Sequence, residues 1–176
     1  MGISFEPLTA SIGAVVHGVD LADVDADTVE EIRKGWLDYQ VLFFRDQPIT
    51  VAQHIAFGRR WGELEIHPFA PDDGEHPELV VIESNEERKY AASNWHSDVT
   101  WRTEPSLGSI LRGRIIPPAG GDTVFASATK AYDRLSDEWK ERVDGLVAEH
   151  DFANTFGRRM SSEKLAETHE KYPVAY

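Results

Sequence analysis

His96 and Asp98 stand two residues apart in the stretch N-W-H-S-D-V-T-W, residues 94–101. If this stretch is extended, side chains alternate between its two faces, so the imidazole and the carboxylate project side by side. These groups are suitable neighbouring ligands for a divalent metal, and one distant histidine would complete the 2-His-1-carboxylate set of non-heme Fe(II) oxygenases. The H-x-D spacing is weak evidence by itself, because an exposed histidine near an aspartate is a common and non-functional arrangement.

The rest of the composition excludes several other kinds of site. The chain contains no cysteine, which excludes a disulfide framework, a thiolate zinc site, an iron–sulfur cluster and a cysteine nucleophile. There is no Gly-rich nucleotide loop, and Gly120-Gly121 alone is too weak to indicate phosphate binding. A metal site at His96 and Asp98 is therefore the strongest chemical hypothesis from the residues themselves.

Charge and hydropathy restrict the partners that we expect. Eighteen basic against 31 acidic side chains give a formal charge of −13, and such a surface repels phosphate backbones and anionic lipids. We therefore expect no nucleic acid and no membrane as partners. The N-terminal residues lack the pattern of a signal peptide, and no stretch reaches the ~18 apolar residues of a membrane span. A cytoplasmic protein is predicted, with homo-oligomerisation left open.

The elements that must position the candidate site follow from periodicity and capping signals. The 176 residues predict a single domain, 1–176. A helix is predicted over 25–40, with Asp27 as its N-cap, and another from Thr50, with Gln53 at capping-box spacing, to Trp61. Further helices are predicted over 127–135, 136–147 and 158–171, and extended segments over 41–44, 79–82, 95–101, 107–116, 124–126 and 146–152. The pattern predicts an α+β fold around a mainly antiparallel sheet, without Rossmann-type βαβ alternation.

Three runs carry a more specific signal than H-x-D, namely N-W-H-S-D-V-T-W, P-S-L-G-S-I-L-R and P-P-A-G-G-D-T-V-F-A-S. Together with S-I-G-A, V-L-F-F-R-D-Q, F-G-R-R-W-G-E-L-E-I-H-P and A-E-H-D-F, they follow in order over residues 11–152. In these runs the chain resembles the taurine dioxygenase (TauD/TfdA) family of Fe(II)- and 2-oxoglutarate-dependent dioxygenases. The resemblance implies a mainly β, cupin-like double-stranded β-helix, or jelly roll, flanked by helices.

The resemblance also implies the cofactor and its ligands. It implies Fe(II) held by His96 and Asp98, and 2-oxoglutarate as cosubstrate, with Thr123 matching a hydroxyl that helps to hold its distal carboxylate. The family's third iron ligand and its 2-oxoglutarate-binding arginine lie in a C-terminal segment. Residues 153–176 do not match that segment, so the jelly roll is expected to be incomplete at the C-terminus.

On the substrate side, His67 matches a substrate-binding histidine of taurine-specific members, and Val99 can offer its backbone N–H to the same anion. Phe152 matches an apolar wall of the pocket, although core packing explains it almost as well. Ala70 stands where those members carry a tyrosine, and Y-A-A-S at 90–93 lacks the acidic and amide groups expected to receive the taurine amine. We therefore expect a small sulfonate, alkyl sulfate or carboxylate without that amine, oxidised with O₂ while succinate and CO₂ are released.

Three hypotheses follow from this partial resemblance, in order of preference. The chain is the N-terminal part of a dioxygenase domain, a truncated and inactive relative, or a non-catalytic cupin-like binding module that uses His96 and Asp98 for another metal or for none. We expect the 176-residue chain alone to be inactive, because the distal histidine and arginine are absent from it.

Overall fold

The computed structural model describes residues 2–70, 74–85 and 94–176. These residues form two compact units. The first unit comprises residues 2–64 and 112–144, and the second comprises the described parts of 65–111 together with 145–176. The single domain over 1–176 stays a prediction.

The first unit contains a three-stranded sheet in the order β1 (Ser4–Pro7), β2 (Ala14–His17) and β3 (Leu42–Phe44). Strands β1 and β2 are antiparallel, whereas β2 and β3 are parallel and are connected through the helix α1, Ala26–Tyr39. The sheet is therefore mixed, and the predicted mainly antiparallel sheet is wrong for this part of the chain. The parallel pair requires a crossover connection, which α1 provides.

Side-chain caps begin the helices of this unit. Asp25, rather than the predicted Asp27, caps α1 by accepting the Thr28 N–H at 2.7 Å, because Asp25 is the residue with extended backbone. The predicted capping box of α2 (Val51–Arg59) is confirmed, with Thr50 and Gln53 bonding each other's backbone N–H reciprocally. The short helices α3 (Ala128–Asp133) and α4 (Asp137–Val143) begin after serine caps.

One face of α1 and α2 packs into an apolar core. Its buried members are Leu21, Val24, Ile32, Ile49 and Phe57, with Phe44 and Trp61 packed around them. Burial of these side chains supplies much of the apolar contribution to the stability of this unit.

Gly35 lies buried in α1 against the ring of Phe5 on β1. An added Cβ would lie within 2.8 Å of three ring atoms, a separation that real Cβ atoms do not show. Gly→Ala in a helix normally raises the free energy of unfolding by about 1 kcal/mol. We expect Gly35→Ala instead to reduce it by about 1–3 kcal/mol through overpacking. Urea denaturation measures this change. In a Phe5→Ala background the same substitution should become stabilising, and a stabilising effect in the unsubstituted chain would contradict the packing.

The second unit is held by an aromatic cluster and by its C-terminal segment. Two 3₁₀ turns, Phe152–Asn154 and Gly157–Arg159, precede α5 (Ser162–Lys171). His150 and Ala175 then form an isolated antiparallel bridge, with N···O distances of 2.8 and 3.0 Å. The cluster comprises His67, Phe69, Trp101, Phe152, Phe156, His169 and Tyr172.

Several predicted extended segments are not strands among the described residues. Segments 79–82, 95–101, 107–116 and 124–126 form no ladder, and 146–152 is represented only by the His150 bridge and a 3₁₀ turn. The buried strand predicted at 79–82 is wrong, since Val80, Val81 and Ile82 are between 42% and 50% exposed. Apolar runs become strands only when another segment pairs with their backbone.

The described residues therefore form an α+β arrangement with one three-stranded sheet and five α-helices. The jelly roll that the resemblance implies remains an expectation. None of the helices described is long and apolar enough to cross a membrane.

Candidate metal site

The imidazole of His96 and the carboxylate of Asp98 face each other in the second unit. His96 Nε2 lies 3.4 Å from Asp98 Oδ1, and both side chains are more than half exposed. His96 Nδ1 lies 2.8 Å from the Asn94 carbonyl oxygen. Because a carbonyl only accepts, Nδ1 carries a hydrogen, and the corresponding neutral tautomer has its lone pair on Nε2.

A turn, rather than the predicted strand, brings the two groups together. Residues 98–101 form the turn, in which Val99 has φ of 56° and the Arg102 N–H donates to the Val99 carbonyl at 3.1 Å. His96 and Asp98 therefore lie side by side as predicted, but the extended backbone predicted over 95–101 is wrong. The left-handed conformation is unfavourable for a β-branched residue, so tertiary contacts must maintain it.

The three residues after Val99 provide those contacts. Thr100 Oγ1 is hydrogen-bonded to His150 Nδ1 at 2.9 Å, and Trp101 is buried in the aromatic cluster. Arg102 Nη2 lies 2.9 Å from Glu65 Oε1, with both side chains mostly buried. These anchors hold the turn from its C-terminal side and leave His96 and Asp98 open to solvent.

Ser109 completes the surroundings of Asp98, a role that the sequence pattern did not indicate. Its hydroxyl donates to Asp98 Oδ2 at 3.0 Å, which leaves Oδ1 as the oxygen that faces His96. The available signal was the position of Ser109 in the run P-S-L-G-S-I-L-R, 11 residues beyond Asp98. Spacing alone does not indicate a contact across that distance.

The two facing donors fit part of a divalent-metal site. Ligands about 2.1 Å from one ion, in neighbouring positions, lie about 3 Å apart, so 3.4 Å requires a shift of a few tenths of an ångström. A neutral imidazole and a carboxylate also suit Fe(II) or Mn(II). Within residues 2–70, 74–85 and 94–176, no third histidine, aspartate or glutamate joins the pair to form a group of three.

His67, the predicted substrate-binding histidine, lies half-buried among aromatic rings in the same unit. Its Nδ1 accepts the Phe69 N–H at 3.2 Å, so the neutral ring carries its hydrogen on Nε2. Burial lowers the pKa of His67 below 6.5, although the negative charge of Glu65 opposes this shift. At neutral pH His67 is therefore an uncharged N–H donor, which is suitable for an oxygen of an anion.

Phe152 lies in the core of the second unit. Its side chain is 1% exposed, stacks on Phe69 with a centroid distance of 5.5 Å and contacts His169 at 4.7 Å. These contacts give it a packing role, whereas its role as a pocket wall stays a prediction.

The other predicted site residues are not joined to this pair by any described contact. Thr123 is exposed in the first unit, outside regular secondary structure, so its role toward 2-oxoglutarate stays a prediction. Val99 is half-buried in the turn, and Ala70 ends a turn at 68–70. Residues 90–93, which lack acidic and amide groups to receive an amine, lie outside the described residues.

Comparisons with known proteins agree with the resemblance. Residues 4–175 match the profile of the family described as taurine catabolism dioxygenase TauD, TfdA family. An (S)-phenoxypropionate/alpha-ketoglutarate-dioxygenase from Sphingobium herbicidovorans is 38% identical over 148 residues, which are 82% of this chain and 52% of the relative. An alpha-ketoglutarate-dependent sulfate ester dioxygenase from Pseudomonas putida is 34% identical, over 84% of this chain and 49% of the relative.

A solved structure is similar over most of the chain. The crystal structure of a taurine dioxygenase from Burkholderia xenovorans superposes with a TM-score of 0.75 at 43% identity, covering 85% of this chain and 54% of that one. The chain spans about half the length of the curated relatives that it matches.

Proposed function

The chain belongs to the taurine catabolism dioxygenase TauD, TfdA family, and on this premise we propose that it contributes two metal ligands to an Fe(II)- and 2-oxoglutarate-dependent dioxygenase. The observation that carries the proposal is the pair His96 Nε2 and Asp98 Oδ1, 3.4 Å apart at an exposed turn. Fe(II) with 2-oxoglutarate, when bound, supplies the activation of O₂ that couples oxidation of a substrate to release of succinate and CO₂. Its ligands in this chain are His96 and Asp98.

Residues next to the metal pair prepare that site in two ways. The Asn94 carbonyl accepts from His96 Nδ1, so the neutral tautomer has its lone pair on Nε2, where a metal would bind. The turn at Val99 aims Asp98 toward His96. Thr123 is proposed to donate its hydroxyl to the distal carboxylate of the cosubstrate, as its place in the G-G-D-T run suggests.

The proposed substrate is a small organic anion, namely a sulfonate, an alkyl sulfate or an aryloxy carboxylate. His67 supports this class, since its Nε2–H is an uncharged donor in an aromatic environment. The Val99 N–H is a second proposed donor, and Phe152 a proposed wall. Sulfate ester and phenoxypropionate in the names of two relatives agree with the class, without assigning a member of it to this chain. Ala70, which stands where taurine-specific members carry a tyrosine, and the run Y-A-A-S at 90–93, which lacks acidic and amide groups for an ammonium, argue against taurine.

A non-catalytic metal-binding module is the alternative function. It is favoured by one observation, which is that His96 and Asp98 are joined by no third protein ligand within the described residues. The two functions share the metal pair and differ in whether 2-oxoglutarate is consumed.

Succinate release separates the two functions. With Fe(II), 2-oxoglutarate and O₂, we expect release of succinate, measured by ¹H NMR, only when an amine-free substrate of the proposed class is present. We expect this release only from a form of the protein in which a third ligand joins His96 and Asp98. The 176-residue chain alone should give no significant turnover, because two protein donors hold the metal weakly. Turnover of taurine as fast as that of the best substrate would contradict the proposed substrate class. If every form of the protein binds metal without a substrate and none releases succinate, the binding module is favoured.

A further inference from the structure

We propose that Ser109 is a positioning residue that makes Asp98 a one-oxygen metal ligand, an inference that rests on the proposed function. Its hydroxyl donates to Asp98 Oδ2 at 3.0 Å, while Oδ1 of the same carboxylate faces His96 Nε2 at 3.4 Å. The two oxygens of Asp98 therefore have different tasks. One is bound to a hydroxyl of the protein, and the other is available to an ion.

The number of oxygens that Asp98 uses decides how many positions remain on the metal. A carboxylate that binds through both oxygens occupies two positions, whereas one held at Oδ2 occupies one. A facial site has to keep its remaining positions open for a chelating 2-oxo acid and for O₂. Hydrogen bonds to the ligand from the surrounding protein orient such carboxylates and commonly change metal affinity by about 10- to 100-fold.

Ser109 is suited to this role because of where it stands in the chain. It lies 11 residues beyond Asp98, so its hydroxyl restrains the carboxylate from outside the turn. The Asp98 side chain is 58% exposed, so packing restrains its rotation only weakly. The Ser109 hydroxyl is thus the described group that holds one carboxylate oxygen of Asp98 while the other faces His96.

Ser106 provides a matched control in the same segment. Its hydroxyl also donates to a carboxylate, that of Glu65, but Glu65 is paired with Arg102 and is not a proposed ligand. Ser106 binds Glu65 Oε2, whereas Arg102 binds Oε1, so Ser106→Ala removes a bond of the same kind and keeps the ion pair that anchors the turn.

Mn(II) titration of the full chain, followed by the EPR signal of the free ion, tests the proposal. We expect Ser109→Ala to weaken binding by about tenfold, Ser109→Thr to retain it and Ser106→Ala to leave it unchanged. Isotope-edited infrared difference spectra should show a one-oxygen carboxylate ligand in the unsubstituted chain and a two-oxygen one in Ser109→Ala, a change that general loosening of the fold would not produce.

The outcomes separate this inference from the function on which it rests. Equal affinity and equal carboxylate spectra for Ser109→Ala and the unsubstituted chain would overturn the role of Ser109 alone, provided that His96→Ala abolishes binding. Binding that survives His96→Ala, or no saturable binding by the unsubstituted chain, would overturn both. Equal weakening by Ser106→Ala and Ser109→Ala would also overturn the role of Ser109, because it would show an effect of the segment rather than of Asp98.

Discussion

Substitution of His96 by alanine is expected to abolish metal binding by this chain while leaving its fold intact. Among the described residues two protein donors face each other at the site, so removal of Nε2 leaves a single exposed carboxylate. The affinity for Mn(II) should fall by more than about 100-fold, beyond the usual cost of losing a group that only supports a ligand. The free-ion EPR titration measures the affinity, and circular dichroism reports the fold.

The fold should tolerate this change because the His96 side chain is 56% exposed and its described hydrogen bond is to the Asn94 carbonyl. Exposed positions of this kind usually change stability by less than about 0.5 kcal/mol. His17→Ala is the matched control, since His17 is also exposed and lies 2.8 Å from a carboxylate oxygen, that of Glu6 in the first unit. Unchanged Mn(II) affinity in His96→Ala, or an equal loss in His17→Ala, would refute the assignment of the metal to this turn.

The second large effect is expected at Phe152, on stability. Its side chain is 1% exposed and contacts Phe69, Trp101 and His169 within the aromatic cluster. Replacement by alanine removes a complete buried ring and leaves a cavity that the neighbouring rings fill only in part. We expect the free energy of unfolding to fall by about 3–5 kcal/mol, measured by urea denaturation.

A milder variant keeps this expectation testable if Phe152→Ala does not fold. Phe152→Leu should cost roughly 1–2 kcal/mol, since most of the buried volume is retained. Phe125→Ala is the control of the same type, because Phe125 is 46% exposed and should cost less than about 1 kcal/mol. If Phe152→Ala and Phe125→Ala destabilise the protein equally, the central packing role of Phe152 is incorrect, and its predicted role as a pocket wall becomes the better account.

Residue type and spacing were sufficient to predict hydrogen bonds between residues that are close in the sequence. The reciprocal hydrogen bonds of Thr50 and Gln53 span three residues, and the capping-box spacing predicts them. The start of α1 shows the limit of the same rule. Asp25 and Asp27 are both acceptable caps by residue type, and only the backbone conformation at Asp25 distinguishes them.

Long-range contacts could not be predicted in this way. The bonds from Thr100 to His150 and from Arg102 to Glu65 join residues that are 50 and 37 positions apart. They determine that residues 98–101 turn instead of continuing as a strand. The sequence pattern thus predicted that His96 and Asp98 meet, but it predicted the wrong backbone, because the competition between strand and turn is decided by these distant anchors.

The predicted strands failed for a related reason. Segments such as 107–116 have the composition of strands, and Ile115 and Ile116 nevertheless remain 93% and 75% exposed. The alternation of apolar and polar residues indicates which face of a strand is apolar, whereas the strand itself forms only when its backbone pairs with another segment. No ladder partner for this segment lies within the described residues.

The left-handed backbone at Val99 is needed for the metal site, and the H-x-D sequence alone does not produce it. A short peptide with the sequence of residues 94–102 would relax at this β-branched residue toward extended backbone, because the strained conformation costs about 1–2 kcal/mol and the peptide lacks the contacts that offset it. The imidazole and the carboxylate would then lose their common orientation. The H-x-D sequence alone is therefore not expected to bind metal when it is placed in another protein. Such a graft would also need the contacts made by Thr100, Trp101 and Arg102.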